Sequence, residues 1–336
     1  MKNLSKVFLG LFLVLIILFC TISFVSAEKQ LVMAMVTNQA GLGDQCYNDG
    51  AWNGLIMAEE KFGIKKKVLE SREQANFVPY LMTLAEQKLD LIVAVGFMMQ
   101  DALAEVAELF PETNFCIVDG VVDAPNVACL LFKENEAAFL VGAVAAKMAK
   151  SGIVGFVGGM ETPITKKFES GYRAGVMTAN PDVKVLVSYA GTFADPAKGE
   201  EMAAAQYNQG ADVIVQVANQ TGLGVINAAK KMNKYVIGAE IDQNYLAPDN
   251  VITSMIKRVD IAIFNAAKMV KEGNFKGGIY RYGMKEGGGD IAPTTGKLVP
   301  KDILDYVNIL KQMIIEGEIN PPTTLDELEK FAPPKV

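Results

Sequence analysis

The chain has 336 residues, with 32 Lys and Arg against 38 Asp and Glu and no histidine. A formal charge of −6 leaves no basic footprint for nucleic acid. Without histidine the commonest general acid–base group and the commonest metal ligand are both missing, so no metal site or cofactor is expected and an enzyme is disfavoured.

Residues 1–27 read as a cleavable signal peptide. Lys2 and Lys6 form the charged start, an apolar run covers Val7–Phe19, and Val25-Ser26-Ala27 supplies small residues at the cut. This predicts an exported, periplasmic or extracytoplasmic protein beginning at Glu28. Cys20 offers a lipoprotein anchor, but the bulky Phe19 stands where such sites carry a small residue, so a soluble exported chain is preferred. The remaining cysteines, Cys46, Cys116 and Cys129, do not form a disulfide framework and are expected as buried thiols.

From residue 31 onward short Val/Ile-rich runs alternate with helical patterns, which predicts an α/β protein with parallel sheets. Strands are expected at 31–36, 67–69, 91–95, 114–118, 128–132, 153–157, 184–189, 213–216, 235–238, 252–256 and 278–282. Helices are expected at 50–62, 76–86, 99–109, 134–150, 166–180, 196–209, 222–232, 259–272 and 300–316. The strand–helix alternation restarts at Ile153 after a long helix, so two doubly wound, Rossmann-like lobes are predicted with a ligand cleft between them. The first takes residues 28–132 and about 258–284, the second 133–257 and about 285–325. Gly287-Gly288-Gly289 reads as a flexible loop, and the Pro-rich, polar stretch from Asn320 to Val336, with residues 326–336 as a tail, as irregular.

The segment Thr37–Leu55 follows the first strand and leads into the first helix, where open α/β sheets bind ligands. It gathers the carboxamides Asn38, Gln39 and Asn48 with Tyr47 and the single tryptophan, Trp52. Tyr47 is assigned to the ligand as a stacking face; Trp52 is assigned to packing of its helix. Asp119 ends the strand F-C-I-V-D and reads equally as an acceptor for ligand N–H or O–H groups and as a turn cap. The run Ala218–Gly224 opens a helix, and backbone N–H groups near Gly222 suit a polar oxygen, although the glycine spacing is not that of dinucleotide binding. Glu240 and Asp242 follow one strand and Lys257 ends the next; they read either as a hydroxyl-binding set or as an ion pair bracing the lobes.

Taken together, the ordered segments G-D-Q-C-Y-N-D-G-A-W-N-G-L, F-C-I-V-D, V-G-G-M-E-T-P, Q-T-G-L-G-V-I-N-A-A, V-I-G-A-E-I-D-Q and T-S-M-I-K-R-V-D resemble the basic membrane protein family. These are type I substrate-binding proteins of ABC importers, and they include purine nucleoside receptors. The resemblance implies the type I periplasmic binding fold, a purine-like ligand in the cleft, an ABC transporter permease as partner and a monomer. It also implies that Asp119 holds a base edge and Lys257 a ribose. Asn38 and Glu240 stand where the family's nucleoside receptors carry Asp, and Tyr47 where they carry Phe. Phe97 and Phe193 are candidates for a second stacking aromatic. A free base, a flavin or another metabolite is the alternative ligand; an exported nucleoside hydrolase using Asp119 or Glu240 is the alternative of another class.

Overall fold

The structure is a computed structural model that describes residues 29–334. The signal-peptide reading of residues 1–27 and the alternative anchor at Cys20 lie outside the described residues. The first stretch of the described chain alternates strand and helix: β1 (Val32–Val36), α1 (Tyr47–Phe62), β2 (Lys65–Leu69), α2 (Phe77–Glu86), β3 (Leu91–Val95), α3 (Gln100–Leu109), β4 (Phe115–Val118) and β5 (Val127–Phe132). It continues with α4 (Glu134–Met148), β6 (Ile153–Gly158), α5 (Pro163–Ala179), β7 (Lys184–Tyr189), α6 (Pro196–Asn208), β8 (Val213–Val217), α7 (Gln220–Met232), β9 (Tyr235–Glu240) and β10 (Val251–Lys257). Last come α8 (Val259–Lys271), β11 (Gly278–Tyr282), β12 (Gly289–Ile291), α9 (Lys301–Glu316) and α10 (Leu325–Glu329).

These strands form two six-stranded sheets, ordered β11-β5-β4-β3-β1-β2 and β12-β10-β9-β8-β6-β7. Every pairing is parallel except β10 with β12. The central strands β3, β4 and β8 are buried along their whole length, as strands covered by helices on both faces must be. Their continuous apolar sequence follows from that burial. In each sheet the strand order reverses once, between β1 and β3 and again between β6 and β8. Loops leaving a parallel sheet diverge at such points and open a crevice at the carboxyl ends of the strands.

The chain passes from the first sheet to the second between Phe132 and Glu134. It returns at Lys257–Val259, so that α8 packs in the core of the first sheet, and passes over again after Tyr282. Two expectations need correction. The triple glycine is an ordered turn leading into β12: Gly288 donates to Gly283 and accepts from Arg258, and Gly289 begins a strand paired with Lys257. The tail contains α10, started by Thr324, whose hydroxyl accepts from the Glu327 N–H. Its Leu328 and Phe331 pack on the second core. Cys46, Cys116 and Cys129 are buried and free. Among the described residues no helix is long and apolar enough to cross a membrane.

Candidate functional site

A cavity lies at both crevices at once. Its lining comes from the segments that follow β1 (Asn38), β3 (Gly96, Phe97, Met98) and β6 (Thr162, and Ile164 at the start of α5), and from the end of β8 and the residues after it (Val217, Asn219). Asp119 after β4 and Glu240 at the end of β9 complete it from the adjacent strands, with Tyr47, Phe168 and Phe193 as walls. It holds about 520 Å³ of empty space including its open mouth. Four of its residues, Gly96, Asp119, Asn219 and Glu240, have positive φ (112°, 64°, 48° and 70°). For the three that are not glycine this conformation costs about 1–3 kcal/mol each and persists only where the surroundings fix it. Three of the six non-glycine residues with positive φ among the described residues thus face the cavity.

The loop between β1 and α1 is held by two carboxylates that the motif reading passed over. Asp44 accepts from the backbone N–H groups of Cys46, Asn48 and Asp49 and from the Asn48 side chain, at 2.8–3.2 Å. Asp49 accepts from Gly43 and Gln45 at 2.8 and 2.9 Å. Asp44 thus satisfies exposed donors of the first turn of α1, while Asp49 reaches back to tie down the preceding loop. An Asp three residues ahead of the helix, with a second Asp in its first turn, was the available sequence signal.

This loop orients Asn38. The Asn38 N–H donates to Asn48 Oδ1 (3.1 Å), while Asn38 Oδ1 accepts from the Ala40 N–H (3.0 Å) and from Asn48 Nδ2 (2.8 Å). Each amide is therefore fixed by a backbone donor, and Asn38 is left with its Nδ2 donors toward the cavity. Asn48 is fully buried and serves this scaffold rather than the cavity surface. Gln39 does not line the cavity.

Tyr47 is the first residue of α1, not a loop residue, and its ring is buried in the cavity wall. Its hydroxyl donates to Asp119 Oδ2 at 2.8 Å. Lys257 Nζ donates to the same oxygen at 2.6 Å. Asp119 Oδ1 is buried with no partner. The ammonium of Lys257 also lies 3.0 Å from Glu134 Oε1, and Glu134 Oε2 accepts from Lys167 at 2.7 Å. Phe132, Tyr47 and Phe168 surround the ammonium at 4.9, 5.2 and 5.9 Å from their ring centres. Burial alone would lower the affinity of Lys257 for its proton, but Asp119, Glu240 and Glu134 together hold it above the ordinary lysine range. Glu134, buried between two lysines, is held below the usual carboxylate range despite its burial. Burial pushes Asp119 up, against the pull of Lys257.

Glu240 is set apart. It is buried and lines the cavity, yet among the described residues no cation lies within ion-pair distance of it, and Oε2 has no hydrogen-bond partner. Burial, reinforced by Asp119, Glu134 and Asp44, outweighs the attraction of Lys257 and pushes its carboxyl up to about 8. The ion pair considered from sequence between Lys257 and Glu240 or Asp242 is thus made with Asp119 and Glu134 instead. Asp242 turns away: its Oδ1 accepts from the Asn244 N–H (3.1 Å) and Thr294 Oγ1 (2.8 Å), bracing the following turn.

Gly222 also falls outside the cavity. It lies inside α7, and a Cβ there would come within 2.0 Å of Gln216 Oε1, so its glycine serves packing over a buried amide. Trp52 packs on the first core with Lys66 over its ring, as read from the sequence. Phe97 and Phe193 both line the cavity. Phe168, Ile164, Met98 and Val217 had no distinguishing sequence signal, because an apolar residue facing a cavity looks like one facing a core. Thr162 and Thr165 carry a signal of a different kind: each hydroxyl accepts from the other residue's N–H, forming the cap of α5.

The chain is 35% identical over 319 residues to the ABC transporter nucleoside-binding protein BmpA of Lactococcus lactis subsp. cremoris, covering 88% of this chain and 90% of that protein. It is 34% identical over 334 residues to basic membrane protein A1 of Borrelia garinii subsp. bavariensis, covering 95% and 98%. Among solved structures, an ABC transporter solute-binding protein from Aeropyrum pernix K1 superposes with a TM-score of 0.83 at 31% identity, over 89% of this chain and 96% of that one. Residues 31–324 match the family described as ABC transporter substrate-binding protein PnrA-like, and the chain belongs to that family.

Proposed function

We propose that the chain is an extracytoplasmic receptor for a purine nucleoside or a closely related aromatic heterocycle, which it binds between its lobes and hands intact to an ABC permease. The observation that carries this reading is that Asn38, its Oδ1 already bonded, and Asp119, its Oδ1 buried and unpartnered, line one cavity walled by Tyr47, Phe97, Phe168 and Phe193. One fixed donor and one buried acceptor suit the edge of a planar ring that carries an N–H beside an acceptor atom. The aromatic walls supply stacking faces for that ring. A buried acceptor without a partner costs about 1–3 kcal/mol, which a ligand N–H would recover.

The relatives support the nucleoside: one is named as nucleoside-binding. The chemistry supports transport over turnover. Asp119 is held in place by Lys257 and Tyr47, and among the described residues the cavity lining carries no histidine, serine, cysteine or lysine. Binding would proceed by closure of the two lobes, whose open and closed populations the ligand shifts by contacting both.

Calorimetry with inosine, guanosine and adenosine, followed by chromatography of the recovered ligand, tests the reading. It predicts one-to-one binding of at least one nucleoside, recovered whole. No binding of any of the three would overturn the nucleoside assignment, and release of free base and ribose would overturn the receptor.

A further inference from the structure

Three carboxyls and two ammonium groups meet at the cavity wall, where Asp119 and Glu240 line it. Lys257 on β10 serves Asp119 at 2.6 Å and Glu134 at 3.0 Å, and Lys167 on α5 serves Glu134 at 2.7 Å. Glu240 on β9 is the third acid and has neither lysine within bonding distance among the described residues. The groups facing it from the packed elements are Lys257 (β10), Asp119 (the end of β4), Glu134 (the start of α4), and Asp44 with Cys46 and Tyr47 (the loop before α1 and its first turn). Of these only Lys257 is cationic, and it is already bound to two carboxylates. An ionised Glu240 would therefore be the unbalanced charge of a buried cluster, whose desolvation only the attraction of Lys257, without a hydrogen bond, opposes.

We infer that Glu240 enters ligand binding as a neutral carboxylic acid, donating its proton to an acceptor atom of the ligand, so that in alkaline solution the site takes up a proton from solvent together with the ligand. No covalent bond forms or breaks; the proton comes from water or buffer and stays on Glu240. The inference deepens the heterocycle reading and rests on it. It gives the site a second donor, beside Asn38, where a carboxylate would accept, and so favours ligands presenting oxygen or ring-nitrogen lone pairs at that end. The burial-raised affinity of this carboxyl for its proton, to about 8, is consistent with that state at neutral pH.

Two measurements test it. The first needs no ligand: carbon-13 NMR of carboxyl-labelled protein, with Glu240 assigned by its loss in Glu240→Gln. A carboxyl that titrates near or above neutrality supports the inference, and one titrating in the ordinary glutamate range overturns it, whatever the ligand. The second is adenosine calorimetry at pH 8.5 in two buffers of different ionisation enthalpy, adenosine having no group that titrates near this pH. Net proton uptake is expected, with affinity falling about tenfold between pH 7 and pH 9 as the acid is lost. Both effects should vanish in Glu240→Gln. Zero uptake or proton release by the wild type would overturn the inference. Failure of adenosine to bind at any pH counts against the ligand reading instead, and the NMR titration then decides the state of Glu240.

Discussion

Asp119 and Glu240 occupy matching places in the two halves of the molecule. Each sits at the carboxyl end of a parallel strand, each is buried against the cavity, and each holds a left-handed backbone, with φ of 64° and 70°. Their chemistry differs because their neighbours differ. Asp119 has one oxygen doubly bonded by Lys257 and Tyr47, leaving a single acceptor atom for a ligand. Glu240 has no cation and no donor within bonding distance among the described residues, and it takes up its proton more readily than an ordinary glutamate. The fold supplies two equivalent positions for a carboxyl; the placement of one lysine decides which serves as an acceptor and which as an acid.

Removing that lysine should break the comparison most severely. Lys257→Met leaves Asp119 and half of Glu134 buried without a counter-charge, and loss of one partner of a buried pair costs about 3–5 kcal/mol. Urea unfolding at pH 7 should show that loss, with partial recovery in the double variant Lys257→Met/Asp119→Asn. Next in size is Asp119→Ala, which removes the ligand-facing acceptor while Lys257 keeps Glu134. A hydrogen bond to a charged group contributes about 1.5–3 kcal/mol, so nucleoside affinity should fall at least tenfold by calorimetry while the thermal transition stays cooperative.

Glu240→Gln sharpens the other side. Folding raises this carboxyl from 4.5 to about 8. Its stabilising contribution is therefore complete below pH 4.5 and is lost as pH rises through about 8. The glutamine variant has no such loss, so it should gain on the wild type between pH 5 and pH 9, by about 4 kcal/mol in denaturant titrations. The smallest expected effect is that of Tyr47→Phe. It keeps the ring and removes one hydrogen bond to Asp119, which is worth about 1 kcal/mol in stability.

The doubly wound fold was legible because parallel strands buried on both faces leave continuous apolar runs, and β3 and β4 are such runs. β12 was hidden because three residues beginning with glycine carry no period, and its pairing with β10 is set by the returning chain. The site was legible wherever a polar residue ended a strand, as Asn38, Asp119 and Glu240 do, because position along a parallel strand fixes which end of the sheet a residue reaches. Orientation was not legible. Asn48, at the start of α1, and Asp242, in the turn after β9, follow strand ends as the cavity residues do, but their side chains close local hydrogen bonds instead. Nor could spacing show that Lys257 would choose Asp119 and Glu134, which are 138 and 123 positions away in the chain, over Glu240.

The central claim is that the paired Asp119 and the amide of Asn38 hold a planar heterocycle that leaves unchanged. Native mass spectrometry of the purified protein with equimolar inosine, guanosine and adenosine addresses it most directly. The account predicts a one-to-one complex with an intact nucleoside, strongly reduced in Asp119→Ala. Absence of any complex in the wild type, or an equal complex in Asp119→Ala, would contradict it.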